Sequence, residues 1–101
     1  MIIREKDWAR VRDILGRVLP SGVEVWAYGS RVRGDAHEGS DLDLALLSKD
    51  GNLLPSRLIR SLKECFIDSN IPIIVEVRDK CSLPENFQEE IEREGVLVFE
   101  K

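Results

Sequence analysis

Two short segments on either side of a polar loop constrain the fold more than any other feature of this sequence. Residues 23–28 are β-branched and aromatic and run directly into the glycine-flanked segment 29–34, which predicts a strand that ends in a tight turn. Beyond the loop, residues 41–44 alternate polar and apolar side chains, so a strand there points Asp41 and Asp43 to one face and leucines to the other. One face can hold a ligand while the other packs.

The chemistry of these two segments suits phosphate and a divalent cation. The backbone amides of the Gly29-Ser30 turn, which we expect to open a short helix, can bind an anion. Adjacent carboxylates at Asp41 and Asp43 repel each other. A hard cation such as Mg²⁺, which prefers carboxylate and phosphate oxygens, relieves that repulsion. The pattern therefore predicts a metal and phosphate site at the carboxyl end of the first strand, where open α/β sheets place ligands.

Size and charge limit the other possibilities. A chain of 101 residues predicts a single domain spanning residues 1–101. The net charge of −4 disfavours an extended nucleic-acid surface, which needs a basic stripe to neutralise phosphates. No long apolar run and no leader pattern are present, so we expect a cytoplasmic protein without a membrane span. The single histidine, His37, and two isolated cysteines do not have the spacing of a zinc site, and we expect His37 to be an exposed loop residue.

Apolar periodicity predicts alternating helices and strands along the whole chain. The predicted elements are a helix at 5–19, strands at 23–28 and 41–48, a helix at 54–69 with Pro55 in its first turn, a largely buried strand at 72–77, a helix opened by a capping box at 82–85 and ended by Gly95, and a strand or docked tail at 96–99. This order predicts an α/β (α+β) protein in which a mixed sheet of about four strands packs against helices.

Together, the Gly29-Ser30 turn, Gly34, the segment 40–43 and the strand acid Glu76 resemble the signature of the polymerase-beta-type nucleotidyltransferase superfamily. The chain resembles its short form, the minimal nucleotidyltransferases, over essentially its whole length. The resemblance implies the nucleotidyltransferase fold and the Mg²⁺-dependent transfer of a nucleoside monophosphate, AMP from ATP, to a hydroxyl acceptor. It also implies a small helical partner of the HEPN type, with the pair acting as toxin and antitoxin.

The same resemblance implies roles for individual residues. Asp41, Asp43 and Glu76 are expected to be the catalytic carboxylates and to hold two Mg²⁺ ions. The residues expected to bind the nucleotide phosphates are Gly29, Ser30, Arg33, Gly34 and Ser40.

One departure from the family leaves two interpretations open, because Glu76 stands where the family has Asp. The longer side chain moves the carboxylate outward, and Mg²⁺ demands near-octahedral geometry. Glu76 is either the third metal ligand of a working transferase or a rim carboxylate in a non-catalytic nucleotide-binding subunit. Asp79 could replace it only if the strand register brought both to one face, which their odd separation opposes. The roles of Arg31 and Arg33 are likewise open, because each is either a contact to phosphate or a solvated charge of the loop.

Overall fold

The structure is a computed structural model that describes residues 1–34 and 39–101, so the prediction for His37 lies outside the described residues. The elements are α1 (Glu5–Val18), β1 (Val23–Tyr28), α2 (Ser30–Arg33), β2 (Leu42–Ser48), α3 (Ser56–Ile67), β3 (Val75–Asp79), a 3₁₀ turn (Lys80–Ser82), α4 (Glu85–Glu94) and β4 (Val96–Glu100). In this described part of the chain, every helix is too short or too polar to cross a membrane.

The four strands form one mixed sheet in the order β3-β2-β1-β4, which confirms the predicted fold class. Strand β1 is antiparallel to both β2 and β4, whereas β2 and β3 are parallel. A parallel pair needs a long crossover, which α3 supplies. The register places Tyr28 beside Asp43 and Asp43 beside Glu76, so three neighbouring strands present these side chains to the same region.

The main core lies on one face of the sheet, beneath α1 and α3. Strand alternation turns Leu42, Leu44 and Leu46 to this face, where they are fully buried together with the apolar stripes of the two helices. A smaller cluster on the opposite face joins Ala45 to Ile91 of α4. Because Asp43 precedes Ala45 by two residues, it shares the α4 face of the sheet, away from the main core.

The third strand differs from its prediction. It spans Val75–Asp79, not 72–77, and Ile74 is 63% exposed. The aliphatic run predicted a largely buried strand, but β3 lies at the edge of the sheet, where only the side chains facing the core, such as Val77, are covered. The position of a strand within its sheet depends on long-range pairing, which local apolar content does not encode.

Two predicted helix starts are also wrong in detail. The Ser82 hydroxyl donates to the Asp79 carbonyl at 2.8 Å and closes the 3₁₀ turn, so it does not open a capping box. Helix α4 begins at Glu85 after an extended Pro84, without a side-chain cap hydrogen bond. Pro55 likewise precedes α3 in an extended conformation and does not lie in its first turn. Each proline fixes φ for helix entry and lacks an N–H group that would need a partner there.

Candidate active site

The turn after β1 depends on a glycine that approaches a carboxylate closely. Gly29 has φ 82° and ψ −157° and immediately precedes α2, a conformation that residues with a Cβ rarely adopt. A Cβ built at Gly29 would lie 2.5 Å from Oδ2 of Asp43. Gly34, in the left-handed region, ends α2 by donating its N–H to the Ser30 carbonyl at 3.1 Å. Because Gly29 has no side chain, the backbone of the turn can lie directly against Asp43.

The strand register pairs two of the three predicted carboxylates on one face of the sheet. Asp43 on β2 is the direct partner of Glu76 on β3, and Asp41 precedes Asp43 by two residues. Across residues 1–34 and 39–101, however, no three His, Cys, Asp or Glu side chains are already gathered as a metal-binding group. The Glu76 carboxylate instead has Oε2 3.8 Å from Nη2 of Arg78. The charges of Asp41 and Glu76 thus act on Asp43, and Glu76 is turned toward a cation of its own strand.

The pKa of Asp43 reflects its burial and the negative charges around it. Burial raises the pKa of the Asp43 carboxyl above its ordinary value, and the negative charges of Asp41 and Glu76 raise the pKa further. The guanidinium groups of Arg78 and Arg33 oppose this increase. Burial, followed by the charge of Asp43, also raises the pKa of the Tyr28 hydroxyl. Carboxylate oxygens that crowd one another with like charge are the donors that a divalent cation stabilises, so the chemistry of Asp41, Asp43 and Glu76 suits such an ion.

The raised pKa of Asp43 predicts a pH-dependent stability effect. Because the folded protein keeps a proton on Asp43 at pH values where the unfolded chain has released it, the free energy of unfolding falls as pH rises through the native pKa. Ionised Asp43 is therefore destabilising at pH 7. We expect Asp43→Asn to raise the melting temperature by a few degrees at pH 7 in metal-free buffer, and by less near pH 4, as measured by circular dichroism.

Glu89→Gln, at an exposed position of α4, is the matched control and should not change the melting temperature in this pH-dependent way. If Asp43→Asn lowered the melting temperature by the same amount at both pH values, the negative charge of Asp43 would not destabilise the folded protein.

Arg31 is a structural residue. Its side chain is buried, with the residue 5% exposed, and its Nε and Nη2 donate to the Ser40 carbonyl at 3.0 and 2.7 Å. Its Nη1 donates to the Ile2 carbonyl at 2.6 Å. These charge-assisted bonds fix the residue that immediately precedes Asp41 and tie it to the amino-terminal segment. The sequence motif left this role open, because burial of an arginine depends on contacts distant in sequence.

Arg33 takes part in an ion pair between α2 and α4. Its Nη1 lies 3.2 Å from Oε1 of Glu90, and both side chains remain partly accessible. Arg33 therefore links the turn after β1 to α4, and its predicted contact with phosphate stays a prediction. Exposed pairs of this kind contribute little to stability, so the contact matters chiefly for geometry.

An open cavity of about 560 Å³ lies between α2 and α4, and we call it the α2–α4 cleft. Its lining residues are Tyr28, Gly29, Ser30, Arg33, Asp43, Arg78, Leu83, Pro84, Phe87 and Glu90. Of the predicted site residues, the cleft contains four; Asp41, Glu76, Gly34 and Ser40 lie outside its lining.

Sequence reasoning missed Arg78 and Phe87 as residues of this cleft. The signal for Arg78 was its position two residues after Glu76, which places both on one face of a strand. Phe87 carried no such signal, because its spacing to Ile91 is that of a buried helix face. Asp79, in contrast, is buried on the other face and accepts hydrogen bonds from the Leu54 and Cys81 amides at 2.7 and 3.0 Å. Asp79 therefore lies on the opposite face of β3 from Glu76, as their odd separation predicted.

Comparison with known proteins gives two sequence matches. Residues 21–101 match the family model described as Polymerase beta, Nucleotidyltransferase. A Haemophilus influenzae protein named "Probable protein adenylyltransferase MntA" is 38% identical over 99 residues, which cover 98% of this chain and 84% of that protein.

Solved structures share the fold. A crystal structure described as a toxin-antitoxin with AMP-PNP superposes with a TM-score of 0.72 at 19% identity, covering 98% of this chain and 75% of that one. A variant of the toxin-antitoxin MntA-HpeT superposes with a TM-score of 0.70, also at 19% identity, covering 99% and 75%. At 19% identity, each superposition shows that this chain and the compared chain share one fold.

Proposed function

Because the chain belongs to the polymerase beta nucleotidyltransferase family, we propose that it transfers AMP from ATP to a hydroxyl group on a partner protein. The observation that carries this proposal is the close packing of the Gly29 backbone against Asp43, with Glu76 as the register partner of Asp43. This arrangement puts a phosphate-binding type of turn and several carboxylates within one small region, which nucleotidyl transfer requires.

In this proposal Asp41, Asp43 and Glu76 hold Mg²⁺, two ions in the full complex. When bound, the metal lowers the pKa of the attacking hydroxyl and neutralises charge that develops on the α-phosphate. The raised pKa of Asp43 supports the assignment, because a carboxylate destabilised by neighbouring charges gains the most from a cation. Glu76 must release its 3.8 Å contact with Arg78 to contribute, which frees the Arg78 guanidinium to face an anionic group.

The remaining cleft residues orient the nucleotide. The Gly29 and Ser30 amides and the Ser30 hydroxyl bind the triphosphate, with Gly34 setting the end of α2 and Ser40 anchoring the entry to β2. Arg33 and Arg78, both in the cleft lining, supply positive charge toward the same anion. Since these groups are set by backbone conformation and strand register, catalysis by this site is mainly positioning and electrostatic stabilisation.

We further propose that the acceptor is a tyrosine hydroxyl on a small helical protein of the HEPN type, and that the pair is a toxin-antitoxin system. The naming of the Haemophilus relative as a protein adenylyltransferase supports a polypeptide acceptor. The description of the solved neighbours as toxin-antitoxin structures supports a paired partner. An open cleft is consistent with an acceptor supplied by a second protein.

A second candidate function is a nucleotide-binding subunit without turnover. The specific observation in its favour is the orientation of Glu76 toward Arg78, which leaves the third carboxylate engaged elsewhere. Both candidates bind a nucleotide at the same turn, so only an assay for transfer separates them.

The test uses ATP labelled at either the α- or the γ-phosphate, incubated with Mg²⁺, this protein and a small helical protein of the HEPN type as the candidate partner. Transfer of AMP predicts a partner that retains the α-label and never the γ-label, with a mass increase on one tyrosine. Nucleotide binding without labelled partner supports the binding subunit. Label on neither protein, together with no nucleotide binding, contradicts both candidates.

A further inference from the structure

Phe87 has an unusual environment for a large apolar side chain on an amphipathic helix. Ile91, one helical turn later on α4, is 1% exposed and packs against the sheet, whereas Phe87 is 45% exposed. The ring lines the α2–α4 cleft together with Leu83 and Pro84. A phenyl ring left accessible in a concave site, and not on an open surface, points to a ligand that covers it.

The α2–α4 cleft combines two kinds of lining. Ser30, Arg33 and Arg78 supply polar and cationic groups, and Leu83, Pro84 and Phe87 supply an apolar wall. Its volume of about 560 Å³ falls within the roughly 300–1,000 Å³ of typical ligand pockets. A molecule that fits both linings carries an anionic group and a flat apolar group, as a nucleoside triphosphate does.

We propose that Phe87, with Pro84 and Leu83, forms the surface on which the base of the bound nucleotide stacks. This inference rests on the proposed function, which puts the triphosphate at Gly29 and Ser30. The side chains of the wall recognise a base by its aromatic face, since stacking needs no hydrogen-bond donor or acceptor from the protein. Phe87 is thus a binding residue for the nucleoside part of the substrate.

Contacts on both sides of α4 hold this wall at a fixed distance from the turn. The 3.2 Å pair between Arg33 and Glu90 joins α4 to α2. The Gln88 side-chain amide donates to the Leu83 carbonyl at 2.9 Å, which ties the helix to the segment that precedes it. Because these contacts lie within the chain itself, they favour a preorganised stacking surface, which needs little ordering on binding.

The experiment measures dissociation constants for ATP and for inorganic tripolyphosphate, both with Mg²⁺, by isothermal titration calorimetry. Phe87→Ala should weaken ATP binding by about tenfold, the scale expected for loss of one base–aromatic stack, and leave tripolyphosphate binding unchanged. Phe87→Trp, which keeps an aromatic surface, should retain ATP binding. Ile67→Ala is the matched control, because Ile67 is an 80% exposed apolar residue outside the cleft lining.

The outcomes separate this inference from the function on which it rests. Equal ATP affinity of Phe87→Ala and the unsubstituted protein overturns the stacking surface alone. Equal weakening of ATP and tripolyphosphate binding also overturns it, because the loss is then not specific to the base. A selective loss of ATP affinity without any labelled partner in the transfer assay supports the stacking surface and overturns the transferase. Failure of the unsubstituted protein to bind ATP overturns both.

Discussion

Asp43→Asn is expected to lower the rate of nucleotide transfer by at least about 10³-fold while the protein remains folded. Substitution of groups that only orient a metal ligand costs roughly 10- to 100-fold, so loss of a direct ligand costs more. Asn has nearly the same shape as Asp but lacks the negative charge that a divalent cation requires. The rate is measured by transfer of α-labelled AMP to the partner at saturating ATP.

The control for this prediction is Asp13→Asn, an exposed carboxylate on α1 that pairs with Arg17 at 3.0 Å and lies outside the cleft lining. This variant should transfer AMP at the normal rate. The same Asp43→Asn substitution is expected to raise thermal stability, so activity and stability should change in opposite directions. An Asp43→Asn protein with more than about a tenth of the normal rate contradicts a direct role in catalysis.

Gly29→Ala is expected to lower transfer by at least about 10²-fold. The added Cβ would lie 2.5 Å from Oδ2 of Asp43, so either the turn or the carboxylate must move. Displacement of a positioned catalytic group by about 1 Å costs on the order of 10²-fold. In addition, alanine is strained at φ 82°, which lowers the free energy of unfolding by roughly 1–3 kcal/mol. Transfer assays and urea unfolding measure the two effects separately.

Gly51→Ala separates backbone strain from the contact with Asp43. Gly51 has φ 81°, almost the same as Gly29, but a Cβ there would meet nothing within 4 Å. This variant should lose stability through strain and keep its transfer rate. If the two alanine variants lost activity equally, the close approach of Gly29 to Asp43 would have no special importance for the reaction.

Much of the fold could be predicted because its signals are local. The alternation that starts at Asp41 correctly placed Leu42, Leu44 and Leu46 in the core and Asp43 on the opposite face. The β-branched run before Gly29 correctly predicted a strand that ends in a turn. These features depend on the two-residue period of a strand and on glycine conformation, which are properties of the residues themselves.

The features that could not be predicted depend on residues distant in the chain. Arg31 is buried because the carbonyls of Ile2 and Ser40 converge on it, and no local pattern marks that convergence. Phe87 is exposed because it faces the open α2–α4 cleft, whereas its spacing to Ile91 is that of a buried helix face. The edge position of β3 likewise follows from the strand order. The predicted metal ligands Asp41, Asp43 and Glu76 remain proposals that only ligand binding can test.

Paramagnetic line broadening on addition of Mn²⁺ and a non-hydrolysable ATP analogue tests the central claim most directly. Mn²⁺ takes oxygen ligands as Mg²⁺ does and broadens the signals of nearby amides. In ¹H–¹⁵N spectra, a metal–nucleotide site at the Gly29 turn predicts that the amides of Gly29, Asp43 and Glu76 broaden first, while those of the remote residues Asp13 and Asp50 remain sharp. Broadening centred on the acidic surface of α4, or spread evenly over the chain, would contradict a metal–nucleotide site at the Gly29 turn.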